Sequence, residues 1–372
     1  MTLKEVTSRK DLRLFARFPN ELYKDNGFFV PQIVSMDMDT FDPARNAAFE
    51  VCEGKYWLAL DDKGKVVGRI AGIINHRYNA KVGQKICRFG WIDFIESQEV
   101  VHGLLAKVEE YAREKGMESI EGPVGFLEFD VSGVLVEGFD QIPTAYGKYN
   151  APYYEPLILN EGYEKGTDFV EYLVTVPKDL DRFDRFARII SERKDVHEGT
   201  YRNRKELVKK YADGIFDVMN QGYSRLHGFS ELSKRQCEDL KRQFLPNINI
   251  DYVSVIVDRN DKVVAFGVTI PSLSKALQKA RGSLFPFGFI HILRALKHND
   301  TIDALLISVL DEYRDSGITS LIFSKIGHAM NANGVKYIES TRELEMNHNV
   351  RNLWGSFENK LHKRARLYCK SL

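Results

Sequence analysis

Cysteine is scarce and scattered: the 372 residues hold four, Cys52, Cys87, Cys237 and Cys369, with no C-x-x-C pair. That spacing excludes a disulfide framework and a cysteine zinc cluster, and it fits a reducing, cytoplasmic compartment. Net charge is nearly absent as well. Lysine plus arginine (53) against aspartate plus glutamate (52) leave +1, so no global field draws nucleic acid to the surface. The nine histidines form no H-x-x-x-H pair, and no G-x-x-x-x-G-K-[ST] loop occurs, so neither a metal centre nor a nucleotide hydrolase is expected. Long apolar runs are missing too. The N-terminus, MTLKEVTSRKDLRLF, is charged every few residues, and the most apolar stretch, Gly282 to Leu296, is broken by Pro286, His291 and Arg294. It falls short of the roughly 20 residues of a bilayer span, so the sequence predicts neither a signal peptide nor a transmembrane helix. Peripheral contact with a membrane stays open.

What is present is enough apolar sequence, 44%, for two cores in a chain longer than one core usually spans. An internal repeat supplies the division. ALDDKGKVVGRI (59–70) and IVDRNDKVVAFG (256–267) align at an offset of 197, each reading as a β-hairpin around an Asp/Gly/Asn turn. EKGMESIE (114–121) and ANGVKYIE (332–339) align at an offset of 218, pairing Gly116 with Gly334 and Glu121 with Glu339, each a helix end, a stopping glycine and a short strand. A third pair begins at Asn150 and Asn347, where the offset returns to 197. Three matches in one order, with insertions at loops, predict a duplicated α/β unit: residues 1–180, and residues 181–372 after a linker near 177–185. In the second copy the pattern gives helices over 205–219, 233–243 and 317–331. A hairpin over 252–270 and strands at 301–310, 335–341 and 365–369 complete it.

Candidate chemistry sits where the apolar strand IDALLISVL runs through DEYRDSGITS into the helical ITSLIFSKIGHAM. The first amides of a helix have no internal partners and carry partial positive charge, so Ser316 through Ser320 can hold a diphosphate. Gly317 lets the backbone approach closely, and Arg314 can add charge at the rim. The same letters at Arg225-Leu-His-Gly228-Phe-Ser230 follow a helix and lack the strand that gives the motif its mechanism.

Strand, R-x-x-G-x-(small) and helix together resemble the acetyl-CoA loop of the GNAT acyltransferases, matched by Arg314, Asp315, Ser316, Gly317, Ile318 and Thr319. Thr319 departs from the usual Gly or Ala. The resemblance implies two tandem GNAT-like domains, each a mixed, mostly antiparallel sheet flanked by helices. It also implies that acetyl-CoA or a longer acyl-CoA binds the second copy through Leu310, Arg314 and residues 315–320, beside a splayed strand at 306–310. The first copy lacks the Arg or Gln before Gly103, so its cofactor loop reads as degenerate. Its aromatic stretches FLEF (126–129) and YNAPYYEP (149–156) then line an acceptor pocket or pack between domains. The implied reaction is direct attack of a primary amine on the thioester. Glu345 and Glu339 are the candidate bases and Tyr368 a candidate acid, because Trp354 and Phe357 stand where the family's tyrosine often lies. Tyr313 is a further phenol near the loop. The insertion SKALQKARGSLFPFGFIHILRALKHND reads as a lid, or as room for a longer acyl chain or lipid-like amine. Similarity extends to bacterial proteins with two GNAT-like units, some of which acylate sphingoid amines or transfer amino acids to peptidoglycan precursors. A small-molecule or lipid N-acyltransferase, a silent acyl-CoA sensor and a structural tandem are the three readings.

Overall fold

The hairpin turns show how the repeat becomes structure. Asp61 and Asp258 each take two downstream amides on one carboxylate oxygen, those of Lys63 and Lys65 at 2.9 and 2.8 Å and those of Asn260 and Lys262 at 2.8 and 3.0 Å. Gly64 and Asp261 close the two turns at φ 76° and 62°. Side-chain oxygens that bond their own backbone two to four residues on are what make Asp a turn former, and both copies use the same device.

The computed structural model describes residues 1–244 and 248–372. Its strands are β1 (Thr2–Glu5), β2 (Cys52–Leu60), β3 (Val66–Asn75), β4 (Ile86–Phe94), β5 (Ser119–Gly122), β6 (Val134–Glu137), β7 (Glu164–Thr175), β8 (Val196–Glu198), β9 (Val253–Asp258), β10 (Val263–Pro271), β11 (Thr301–Val309), β12 (Tyr337–Ser340), β13 (Glu343–Leu344) and β14 (Asn359–Ser371). The helices are α1 (Arg9–Leu22), α2 (Val34–Thr40), α3 (His76–Val82), α4 (Gln98–Glu114), α5 (Tyr154–Leu159), α6 (Asp181–Lys194), α7 (Arg204–Tyr223), α8 (Lys234–Phe244), α9 (Ser274–Ala280), α10 (Gly288–Lys297), α11 (Thr319–Ala332) and α12 (His348–Trp354). Among the described residues no helix is long and apolar enough to cross a membrane.

One mixed sheet carries both copies, in the order β1-β2-β3-β4-β5-β14-β7-β12-β11-β10-β9-β8, with β6 on β14 and β13 on β7. Read from its two edges inward, the order repeats: β1 to β5 match β8 to β12, and β14 matches β7. Each half's final strand therefore lies against the other half's fifth strand. The pairing β14·β7 runs from Asn359↔Val174 to Cys369↔Glu164, with register shifts at His362 and Leu367, so the seam between the copies is a backbone ladder along most of the strand. The final strand is longer than the sequence pattern indicated because charged side chains interrupt its apolar alternation. Lys363, Arg364 and Arg366 are all paired with carboxylates across the seam.

Both copies part their two parallel strands at corresponding places. In the second, β11 and β12 pair from Thr301↔Tyr337 to Ala304↔Ser340 and then diverge. Beside the divergence the β10·β11 register jumps from Val268↔Leu306 to Thr269↔Ala304, leaving Leu305 as a bulge that bends the strand away. In the first, β4 and β5 pair only from Ile86↔Ser119 to Arg88↔Glu121. There the gap is filled. The Val124 amide donates to the Phe89 carbonyl at 2.8 Å, and Trp91 and Phe126 pack with ring centroids 5.3 Å apart.

Candidate acyl-transfer cleft

The open splay continues into a cavity of about 290 Å3. Leu305, Leu306 and Ile307 of β11 form one wall, Ile322, Phe323 and Ile326 of α11 a second, and Trp354 and Phe357 a third. Packing sets this shape. Gly267 on β10 leaves room for α11, since a Cβ there would lie 2.5 Å from Ile322 Cγ2. The Tyr223 hydroxyl donates to the Ile307 carbonyl at 3.1 Å and fixes the end of α7 over the strand. The cavity then crosses the sheet face past Phe169 and Leu367 to Arg88, Glu121 and Glu128 of the first half, where His227 of the second half also lines it.

At the head of α11 the loop has the form the anion argument requires. Arg314 ends a short 3-10 turn, Asp315 and Gly317 take positive φ of 56° and 84°, and the helix begins at Thr319 with no side-chain cap. Among the described residues the amides of Gly317, Ile318 and Thr319 have no acceptor, whereas Ser320 and Leu321 donate back to Gly317 and Ile318 at 2.9 and 3.1 Å. The corresponding helix of the first copy, α4, is closed by Ser97, whose hydroxyl accepts the Val100 amide at 3.4 Å. Arg314 does not point freely from the rim: it donates to the Gly222 carbonyl at 3.2 Å and pairs with Asp311 at 3.0 Å. Ser316 is likewise engaged, its hydroxyl donating to the Tyr313 carbonyl at 2.6 Å. Leu310 is buried beneath the turn, its amide on the Val264 carbonyl at 2.9 Å. The cavity wall starts one turn further along α11, at Ile322.

The three candidate acid–base residues are not brought together. Tyr368 is fully buried in the N-terminal core with its hydroxyl on Glu155 at 3.0 Å, because β14 crosses into that half. Glu345 pairs with Arg364 at 2.7 Å on the seam. Glu339 is bound to Lys363 within a buried charged cluster. None of the three lines the cavity. Glu343, which lies between two of them in sequence, does. Its Oε1 accepts the Trp354 indole N–H at 2.8 Å and its Oε2 is buried without a partner. Burial is the main reason its carboxyl is pushed up to about 7, and the nearby Glu171 charge adds to the shift. Only its pairing partner betrays it: β13 is a two-residue strand, too short for any periodicity to register.

The aromatic stretches of the first copy divide between the two readings. Glu128 and Phe129 line the cavity, while Tyr153 and Tyr154 bond within the N-terminal core, to the Phe94 carbonyl at 2.7 Å and to the Tyr23 hydroxyl at 2.7 Å. The insertion forms α9 and α10 and contributes no cavity wall.

Behind the splay lies a charged cluster of opposite character. Lys363 Nζ stands 2.7 Å from Glu171 and also meets Glu339, and Arg342 reaches Glu171 at 3.2 Å. Burial opposes the Lys363 charge, but the two carboxylates outweigh it and hold the ammonium above its ordinary range. Asp303 on β11 is fully buried with neither oxygen hydrogen-bonded. Burial, then the Glu339 charge, push it up to about 8. A carboxyl raised in the fold costs nothing while both states are protonated. Its penalty grows as pH climbs from the unfolded value of 3.8 and is complete once the folded group ionises near 8. Asp303→Asn is therefore expected to raise Tm by a few degrees at pH 8 and by nothing measurable at pH 4. Thermal melts across that range check it.

No family model matches the chain. Protein YghO of Escherichia coli (strain K12) is 27% identical over 98% of this chain and 94% of its own length. The protein named bacterial ceramide synthase, from Caulobacter vibrioides, is 23% identical over 78% of this chain and 75% of its own. Among solved structures, a tandem GNAT protein from the clavulanic acid biosynthesis pathway superimposes with a TM-score of 0.55 at 12% identity, covering 100% of this chain and 98% of that one. Splayed parallel strands, a bulge beside them, an uncapped helix and a duplicated sheet thus coincide with a whole-chain structural match: this chain has the GNAT fold, in tandem.

Proposed function

We propose that the protein is an acyl-CoA-dependent N-acyltransferase whose cofactor lies in the C-terminal half, with residues 1–180 and 181–372 as the two GNAT-like units. The observation that carries this is the uncapped head of α11, three amides without acceptors among the described residues, above the diverging β11 and β12. A diphosphate matches those amides, the free edge of β11 beyond Ala304 matches an amide-bearing arm, and the apolar cavity beyond matches an acyl chain. Bound there, an acyl-CoA supplies an activated carbonyl on sulfur.

The chain's own part is to hold the acceptor amine neutral and oriented. Glu343 Oε2, unpartnered and tuned close to neutrality, accepts the proton as the amine nitrogen bonds to the carbonyl carbon. Backbone N–H groups at the Leu305 bulge face the developing oxyanion, and the C–S bond then breaks, the thiolate taking up the proton that Glu343 holds and leaving as the thiol. The Cys369 thiol is raised by burial and takes no part. The acetyl group fits such a site, but the length of the cavity and its apolar lining favour a longer acyl group or a lipid amine. The relative named for ceramide synthesis agrees with a long-chain amino alcohol as acceptor, since a ceramide is an amide of one.

Gly317 tests the cofactor half of this reading. At φ 84° a Glu side chain strains the backbone and sets a carboxylate beside the amides meant for the diphosphate. Gly317→Glu is expected to weaken acyl-CoA binding by about tenfold or more. Calorimetry with acetyl-CoA and palmitoyl-CoA measures it, and no heat from the unmodified protein with either would remove the reading. Release of free thiol that depends on added amine separates an enzyme from a silent sensor.

A further inference from the structure

The insertion after β10 carries a surface that the cleft does not use. Phe285 is 76% exposed, Phe287 68%, Leu293 55%, Ile290 45% and Phe289 38%. Phe285 and Phe287 stand in the loop between α9 and α10, and Phe289, Ile290 and Leu293 on α10 itself. Along α10, Ile292, Ala295 and Leu296 turn inward onto Leu273, Leu277 and Ala280, and Phe289, Ile290 and Leu293 occupy the adjoining, exposed flank of the helix. The Phe285 and Phe289 rings lie 5.8 Å apart and extend that face into the preceding loop. Scattered exposed apolar side chains are ordinary, but five together, with two phenylalanines nearly bare, mark a surface that meets something.

Charge selects what it meets. From Leu273 to Asn299 the chain has no Asp or Glu, yet it holds Lys275, Lys279, Arg281, Arg294 and Lys297, in a protein whose whole-chain net charge is only +1. All five are exposed, and among the described residues none of them stands within ion-pair distance of a carboxylate. A second copy of the chain fits poorly, because a two-fold contact through this face brings the same cations against themselves. An aromatic face rimmed by unpaired cations suits an interface with apolar interior and negative headgroups.

We propose that α10 and the Phe285–Phe287 loop dock the protein on an anionic lipid surface, with the apolar side chains below the headgroups and the five cations among them. The docked face adjoins the cleft. α9 and α10 pack on Ile142 and Ala145, next to Tyr146, which lines the cavity. The proposal stands whether or not the cleft binds acyl-CoA.

Flotation of the full chain with vesicles tests it. Vesicles of phosphatidylcholine with a quarter phosphatidylglycerol should carry the protein up, pure phosphatidylcholine vesicles should carry about tenfold less, and raised salt should weaken the first without reaching zero. Phe285→Ser with Phe287→Ser, and separately Arg281→Glu with Lys297→Glu, should each lower binding about tenfold or more, with unchanged melting curves. Equal binding to neutral and anionic vesicles, no flotation at all, or variants that float like the parent would overturn the proposal. So would a dimeric mass in solution that Phe287→Ser reduces to a monomer, which would assign the face to self-association.

Discussion

Replacing Lys363 by methionine is expected to cost about 3–5 kcal/mol of stability, the range for stranding a buried charge by removing its partner. Lys363 is 2% exposed and sits on β14 directly across from Glu171. Its ammonium answers Glu171 and Glu339 at once, and Asp303 lies in the same low-dielectric region with no donor of its own. Arg342 compensates one carboxylate but is itself committed to the Gly133 and Lys148 carbonyls, at 3.1 Å each. Glu171 is now held below its ordinary range, since Lys363 and Arg342 together outweigh its burial. Without the lysine its pKa must rise, so the variant should lose most at pH 8 and recover part of the deficit toward pH 5, as protonation removes the uncompensated charge. Denaturant melts at the two pH values measure the difference. An equal loss at both would mean that Lys363 acts through packing of its stem rather than its charge.

The same seam explains what the sequence could and could not disclose. The two hairpins and the glycine-stopped helices were legible because their signals are local: an Asp that bonds its own turn, a glycine at positive φ, an apolar alternation. Gly116 and Gly334, aligned from sequence, take φ of 67° and 70°, and the Met117 and Val335 amides both reach back to the helix at 2.9 Å. The loop at 314–320 was legible for the same reason. The partnering of strands is not local. Nothing in LHKRARLYC announces that this segment leaves its own half to lie between β5 and β7, and that crossing takes Tyr368 away from the cleft. The candidate carboxylates Glu339 and Glu345 were sought near the right strand, but on β12 Glu339 faces Lys363 and beyond β13 Glu345 faces Arg364. The residue between them reaches the cavity because β13 turns onto β7 in register Glu343↔Val170, a contact between segments some 170 residues apart.

Glu343→Gln carries the largest expected loss of activity. The substitution keeps the shape and leaves an oxygen for the Trp354 indole, now 2.8 Å from Oε1, while removing the only change of charge the site needs for deprotonating an amine. Positioned general bases contribute about 10²–10⁴-fold, and kcat should fall by that range with acyl-CoA binding unaltered. The parent rate should rise with pH up to about 7, where Glu343 ionises, and this limb should be missing from the residual activity of the variant. Stability moves the other way. A glutamate raised from 4.5 to about 7 penalises the fold increasingly as pH rises between those values, so the glutamine form should melt higher at pH 8 and equally at pH 4. A variant that is inactive and more stable cannot have failed by unfolding. If instead the variant keeps its rate, or loses it together with its stability, the proton goes elsewhere, and the next group to examine is His227. Glu121 holds that imidazole at 2.5 Å and raises its pKa at the far end of the same cavity.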